Sequence, residues 1–276
     1  MHSSLSVELT DVRRRFGHTQ ALAGVDFTAR PGRVTAVLGP NGAGKTTMLE
    51  ICEGLQRADS GTVQVLGLDP IRDAAQLRPR VGVMIQDGGL PTAARAGELL
   101  RHVSRMYAQP ENVAELSEQL QLTAFAKTQV RHLSGGMRQR LAMGIALVGR
   151  PDVVFLDEPS AGLDPAARRD VWEIIDGVRA RGTTIILTSH LMDEVEHLAD
   201  EVYIMDSGRI LAQGSVADLV SLETAPSAAT TSVKVSGTLA NKDFLELQEW
   251  AERRGLTVSR RSLEDVFLDL TGRTLQ

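Results

Sequence analysis

The sequence has a single cysteine, Cys52. No disulfide can form within the chain, and a reducing, cytosolic setting is expected. Basic residues are not in surplus: 30 Lys and Arg stand against 35 Asp and Glu, a net charge of −5, with a pI of about 5.7. Nucleic-acid binders usually carry a basic surface, so neither DNA nor RNA is expected as the main partner. Long hydrophobic runs are missing. Nothing approaches the roughly 18 uncharged apolar residues of a membrane span. The longest runs, such as Val153-Val154-Phe155 and Ile185-Ile186-Leu187, are short and bounded by polar residues. The segment MHSSLSVELTDVRRRF lacks the apolar core of a signal peptide, so no leader is expected. Internal repeats and long low-complexity tracts are absent too.

What is there is an ordinary globular composition, 42% hydrophobic and 24% charged over 276 residues. That is enough for one large domain with a small appendage. Short β-branched runs at 33–39, 61–67, 80–86, 152–158 and 183–190 alternate with helical patterns at 45–55, 166–182 and 192–199. Strands separated by helices predict an α/β fold with a mostly parallel sheet. Antiparallel β is expected at 201–214, a hairpin around Ser207-Gly208. Residues 95–148 offer helices and no strand, which predicts a helical subdomain inserted at about 87–150. The main domain is expected over 1–223. Near 224 the composition shifts to TAPSAATTS, a linker. A small C-terminal α+β unit completes 224–276. Its last helix, SLEDVFLDLTG (262–272), has Ser262 as N-cap, an apolar stripe of Leu263, Val266, Phe267 and Leu270, and Gly272 as stop.

GPNGAGKTT (39–47) fits the phosphate-loop pattern G-x-x-x-x-G-K-[ST], with a strand before it and a helix after. The backbone of Asn41, Gly42, Ala43 and Gly44 can converge on phosphate oxygens, helped by the positive end of the helix. Lys45 can reach the β- and γ-phosphates. Thr46 can ligate Mg²⁺, and Thr47 can hydrogen-bond the α-phosphate. ATP and Mg²⁺ are therefore the expected ligands. Cys52 lies on this helix and reads as a small buried hydrophobe.

A phosphate loop does not say what is done with the nucleotide. VVFLDEP (153–159) puts two acids at the C-terminal edge of a buried strand, where open α/β sheets bind ligands. Alone it reads equally as a strand ending in solvated acids. Beside a phosphate loop, Asp157 suits the Mg²⁺ shell and Glu158 suits a general base toward water in line with the γ-phosphate. Gln86 ends another strand, where its amide can reach Mg²⁺ and that water. His190 also ends a strand and can hydrogen-bond the γ-phosphate.

One helix start remains odd. In HLSGGMRQRLAMGIALV (132–148) two glycines stand where a helix begins, although each costs about 1 kcal/mol against alanine in a helix interior. With it, the order GPNGAGKTT, Gln86, LSGGMRQR, VVFLDEP, SAGLD and His190 resembles the nucleotide-binding subunits of ABC transporters. The resemblance covers roughly residues 5–215. It implies two subunits packed head to tail, with each ATP held between one phosphate loop and the other subunit's LSGG helix. Ser134, Gly135 and Gly136 would then face a γ-phosphate. SAGLD (160–164) would run along the seam with Asp164 against the opposite phosphate loop, and Phe16 would stack on adenine. Two positions depart from the common pattern. Met137 stands where many members have Gln, and Phe16 where many have Tyr, although stacking needs only a π face.

The resemblance also implies an ATPase that is a homodimer when ATP is bound. It would be peripheral to the membrane on the cytoplasmic face, through a separate transmembrane permease received by the helical subdomain. The C-terminal helix resembles the drug-, antibiotic- and lipid-exporting branch typified by daunorubicin-resistance ATPases. Two other classes are weighed. A soluble ABC-type ATPase acting on ribosomes or DNA usually has two cassettes or a long coiled-coil insertion. A phosphate-loop kinase has no use for LSGG.

Overall fold

Two valines and a leucine set the first described elements. Val7, Leu9 and Val12 are buried along β1 (Val7–Phe16). β1 pairs antiparallel with β2 (Thr19–Ala29) on one side and β4 (Ser60–Val65) on the other. A strict period of two does not predict β1. Its register shifts between Leu9 and Val12, where Asp11 sits at φ 46°. A bulge moves the apolar phase by one residue. The structure describes residues 5–84, 89–221, 243, 246, 250–251 and 262–272 of a computed structural model.

The second sheet runs in the order β5 (Val81–Met84), β6 (Val153–Asp157), β7 (Thr184–Ser189), β3 (Val34–Leu38), β8 (Glu201–Asp206), β9 (Arg209–Gly214). Its neighbours are parallel except β8 and β9. Every residue of β3, β6 and β7 is buried, as in a parallel sheet covered on both faces. Each large aliphatic side chain so buried contributes roughly 1.5–3 kcal/mol. α1 (Lys45–Cys52) links the two sheets. Its Met48, Leu49, Ile51 and Cys52 share one core with Leu9 and Phe27 of the first sheet and Phe155 and Ile186 of the second. The Phe27 and Tyr203 rings lie 4.6 Å apart.

A short helix, α2 (Ala74–Leu77), precedes β5. Between β5 and β6 the described residues hold α3 (Ala96–Ser104), α4 (Val113–Gln119) and α5 (Gly135–Leu147), with no strand, the expected helical insert. α5 is buried over more than one face. Met143, Ala146 and Leu147 are buried beside Leu141 and Gly144, whereas Met137 is exposed. A Cβ on Gly144 would lie 3.1 Å from the Leu120 side chain and 3.2 Å from that of Leu122, so a larger residue would be crowded there. α6 (Pro165–Ala180) and α7 (Met192–Leu198) complete the α/β alternation. The β8–β9 turn has Ser207 at φ 48° and Gly208 at φ 74°, the paired left-handed residues of a tight hairpin.

The chain divides into two units, one running to Val216 and one from Ala217. The second includes most of α8 (Val216–Ser221) and all of α9 (Leu263–Thr271). α9 begins with a reciprocal cap: the Ser262 hydroxyl accepts from Asp265 N–H, and the Asp265 carboxylate accepts from Ser262 N–H. Leu263, Val266 and Phe267 are buried, and Gly272 ends the helix at φ 68°. The linker expected near 224, and most of the unit expected after it, lie outside the described residues.

Candidate active site

Sheet register brings the site together. Leu38 of β3 pairs with Ser189 of β7, and Asp157 of β6 pairs with Thr188 of β7. The Gly39–Gly44 loop, Glu158 and His190 therefore all leave the sheet at its C-terminal edge. β5 ends at Met84; Gln86 lies outside the described residues.

The phosphate loop is pressed against β8 and its turn. A Cβ on Gly39 would meet the Met205 carbonyl at 2.3 Å, and one on Gly44 would meet the Ala21 carbonyl at 2.4 Å. Gly44 also has φ 104° at the start of α1. Gly208 N–H donates to the Ala43 carbonyl at 2.9 Å, fixing the loop from outside. Asn41 and Gly42 are exposed at the loop tip and Ala43 is buried. Lys45 folds back on this loop. Its ammonium donates to Gly39 O at 2.7 Å and Pro40 O at 3.2 Å, and its side chain is buried. Burial lowers the Lys45 pKa, and the carboxylates of Glu158 and Asp157 pull it back up.

The acids are held as firmly. Thr46 donates to Asp157 Oδ2 at 3.0 Å, and Thr188 donates to Asp157 Oδ1. Glu158 sits at φ 49°. A left-handed backbone costs a non-glycine residue about 1–2 kcal/mol, so neighbours must impose it. They do: Glu158 N–H donates to Thr188 O at 3.2 Å and Thr188 Oγ1 at 3.1 Å, and the Gln139 amide donates to Glu158 O at 2.6 Å. The turn aims the Glu158 carboxylate at His190, with Oε2 at 3.3 Å from Nδ1. Thr188 and Gln139 do not stand out in the sequence. For Thr188 the available signal is a hydroxyl directly after the apolar run Ile185-Ile186-Leu187.

Ser134 caps α5: its hydroxyl accepts from Met137 N–H at 3.3 Å. A Cβ on Gly135 would meet nothing within 4 Å, whereas one on Gly136 would lie 2.9 Å from Leu163. Gly135 thus opens outward, and Gly136 makes room for the Ser160–Asp164 loop. Asp164 caps α6, its Oδ1 accepting from the Ala166 and Ala167 amides at 3.0 Å each. Those N–H groups lower its pKa. Phe16 ends β1 half-exposed, with the Arg14 guanidinium 4.6 Å from its ring centre. Thr47 is partly buried on α1. Burial raises the Cys52 thiol pKa far above its ordinary value, which leaves it inert.

Residues 22–161 match the family described as ABC transporter. A daunorubicin resistance ATP-binding protein from Streptomyces coeruleorubidus is 36% identical over 219 residues, covering 78% of this chain and 69% of that protein. A Nod factor export ATP-binding protein I from Ralstonia nicotianae is 40% identical over 224 residues, 79% and 69% of the two chains. One of the same name from Burkholderia lata is 35% identical over 298 residues and 98% of each chain. The fold matches a solved ATP-binding subunit of an ABC transporter with a TM-score of 0.76, at 23% identity over 97% of this chain and all of the other.

Proposed function

The chain belongs to the ABC transporter family as an ATP-binding and ATP-hydrolysing subunit of an exporter, and from that premise we propose how its residues act. Lys45 leaves the Gly39 and Pro40 carbonyls for the β- and γ-phosphates. The α1 N-terminus and the amides of Asn41 to Gly44 cradle the phosphate oxygens. Thr47 bonds the α-phosphate and Phe16 stacks on adenine. Glu158 accepts a proton from water as that water attacks the γ-phosphorus, and His190 bonds the γ-phosphate and orients the base.

The Thr46 hydroxyl and Asp157 carboxylate, 3.0 Å apart, are hard oxygen donors that suit Mg²⁺ alongside phosphate oxygens. Thr46, Asp157 and Gln86 would hold the ion. Bound there, Mg²⁺ would neutralise charge on the β- and γ-oxygens.

In a head-to-tail dimer, Ser134, Gly135 and Gly136 of one copy close over the other copy's γ-phosphate, and Asp164 meets the opposite phosphate loop. The outward-facing backbone of Gly135 supports this reading. Among the described residues no helix is long and apolar enough to cross a membrane. We assign the membrane path to a separate permease, contacted by the helical insert on the cytoplasmic face. The cargo is a drug, antibiotic or lipid-like compound, in keeping with the relatives' names. We read the ATPase domain as 1–223 and the accessory unit as 224–276.

The single observation that carries the mechanism is the strained turn aiming Glu158 at His190 beside the phosphate loop. Glu158→Gln tests it. ATP binding should stay within about threefold while hydrolysis falls about 10²–10⁴-fold. ATP turnover at the wild-type rate would remove Glu158 as the base.

A further inference from the structure

Glu194 is the one fully buried acid among the described residues, at 0% exposure on α7. A buried carboxylate needs partners, and its partners come from three other places. Ser189, at the end of β7, donates to Glu194 Oε2 at 2.5 Å and accepts from Leu191 N–H at 3.0 Å. Ser160, also at 0% exposure, belongs to the loop after Glu158. Trp172 belongs to α6. Ser160 Oγ, Trp172 Nε1 and Glu194 Oε1 are buried without a partner of full hydrogen-bond geometry. Yet the Ser160 and Ser189 hydroxyls and the Trp172 indole pull the carboxyl pKa down, against the larger upward push of burial. Two buried donors without an acceptor, Ser160 Oγ and Trp172 Nε1, thus lie beside a carboxylate oxygen without a donor.

Their places in the chain give this cluster a role. Ser189 immediately precedes His190, and Ser160 follows Glu158 by two residues. Glu194 is bonded to one segment through Ser189 and lies beside Ser160 of the other, and the neighbouring Glu158 and His190 side chains of these two segments meet at 3.3 Å. The same loop carries Leu163 against Gly136 at the start of α5. We propose that Glu194 is a positioning residue for hydrolysis, tying the loop that carries Glu158 to the strand end that carries His190. It touches no substrate; it sets the distance between two groups that do. The inference rests on Glu158 being the base.

The test is ATP turnover and affinity of the full chain for Glu194→Ala, Glu194→Gln and Ser160→Ala, with a thermal melt of each. Glu194→Ala should lower kcat about tenfold or more while KM for ATP stays within about twofold, because a loosened base costs rate and not binding. Glu194→Gln keeps an acceptor for the hydroxyls and should stay within about threefold of wild type. Ser160→Ala should lower kcat, and its effect should vanish in the Glu194→Ala background, since both cut one link. If Glu194→Ala does not fold, Ser160→Ala and Ser189→Ala carry the test through the same kcat and KM split. Normal kcat in Glu194→Ala, or Ser160 and Glu194 effects that simply add, overturns the proposal. Glu158→Gln, run alongside, separates the two readings. Full activity there defeats the base assignment. A stalled Glu158→Gln beside a normal Glu194→Ala defeats only the positioning role.

Discussion

At the scale of single residues, Lys45 is a cation held by its own loop. Its ammonium is buried and satisfied by two loop carbonyls, at 2.7 and 3.2 Å. A triphosphate offers it charge-assisted bonds in their place. Lys45→Ala should therefore weaken ATP binding about tenfold or more, read by equilibrium titration; unchanged affinity would deny the contact. Glu53 behaves differently. It caps the C-terminus of α1, the negative end of the helix dipole, near Asp157 and Glu50. Burial first, and then those two acids, push its carboxyl up to about 8. The folded chain keeps a proton that the unfolded chain gives up at lower pH. Stability is thus full below the ordinary carboxylate range and falls as pH climbs to about 8. In nucleotide-free protein, denaturant melts from pH 5 to 9 should show that fall, by about 1 kcal/mol or more. Glu53→Gln should flatten it. An equal slope in the variant would show that Glu53 is not the group responsible.

At the scale of elements, α5 explains its own glycines in two ways. Gly136 leaves room for Leu163, an intrachain reason that no spacing in the sequence announces. Gly135 meets nothing; in the proposed dimer its bareness serves a phosphate held by the second copy. Gly135→Asp should fold normally, keep ATP on its own phosphate loop, and lose hydrolysis by about 10²-fold or more; surviving turnover would free Gly135 from any phosphate. The strand–loop–helix around 39–47 and the strand ending at Asp157 were legible in the sequence because their local structure is set by residues within about ten positions. β1 was not, because the bulge at Asp11 hides its period. Nor were the second duties of Asp164 as a helix cap and Leu163 as a wedge. The Ser160, Ser189 and Glu194 cluster was equally hidden. It joins positions 160 to 194 through packing alone, and an acid in an amphipathic helix reads as surface. Gln86 lies outside the described residues, so the sequence alone speaks for it.

At the scale of the whole molecule, the chain presents a hydrolytic edge and, on a different element, an open helix start with no phosphate of its own. In the proposed head-to-tail pair, each chain supplies the other. In the proposed pair the triphosphate is held from both sides, by the Lys45 loop of one copy and the Gly135 backbone of the second. The most direct test is a crystal structure of the Glu158→Gln protein with ATP and Mg²⁺. The account predicts a two-fold dimer with the Ser134 hydroxyl and the Gly135 and Gly136 amides within about 3 Å of the γ-phosphate bound to the opposite loop. Glycines remote from every terminal phosphate, in both copies, would contradict it.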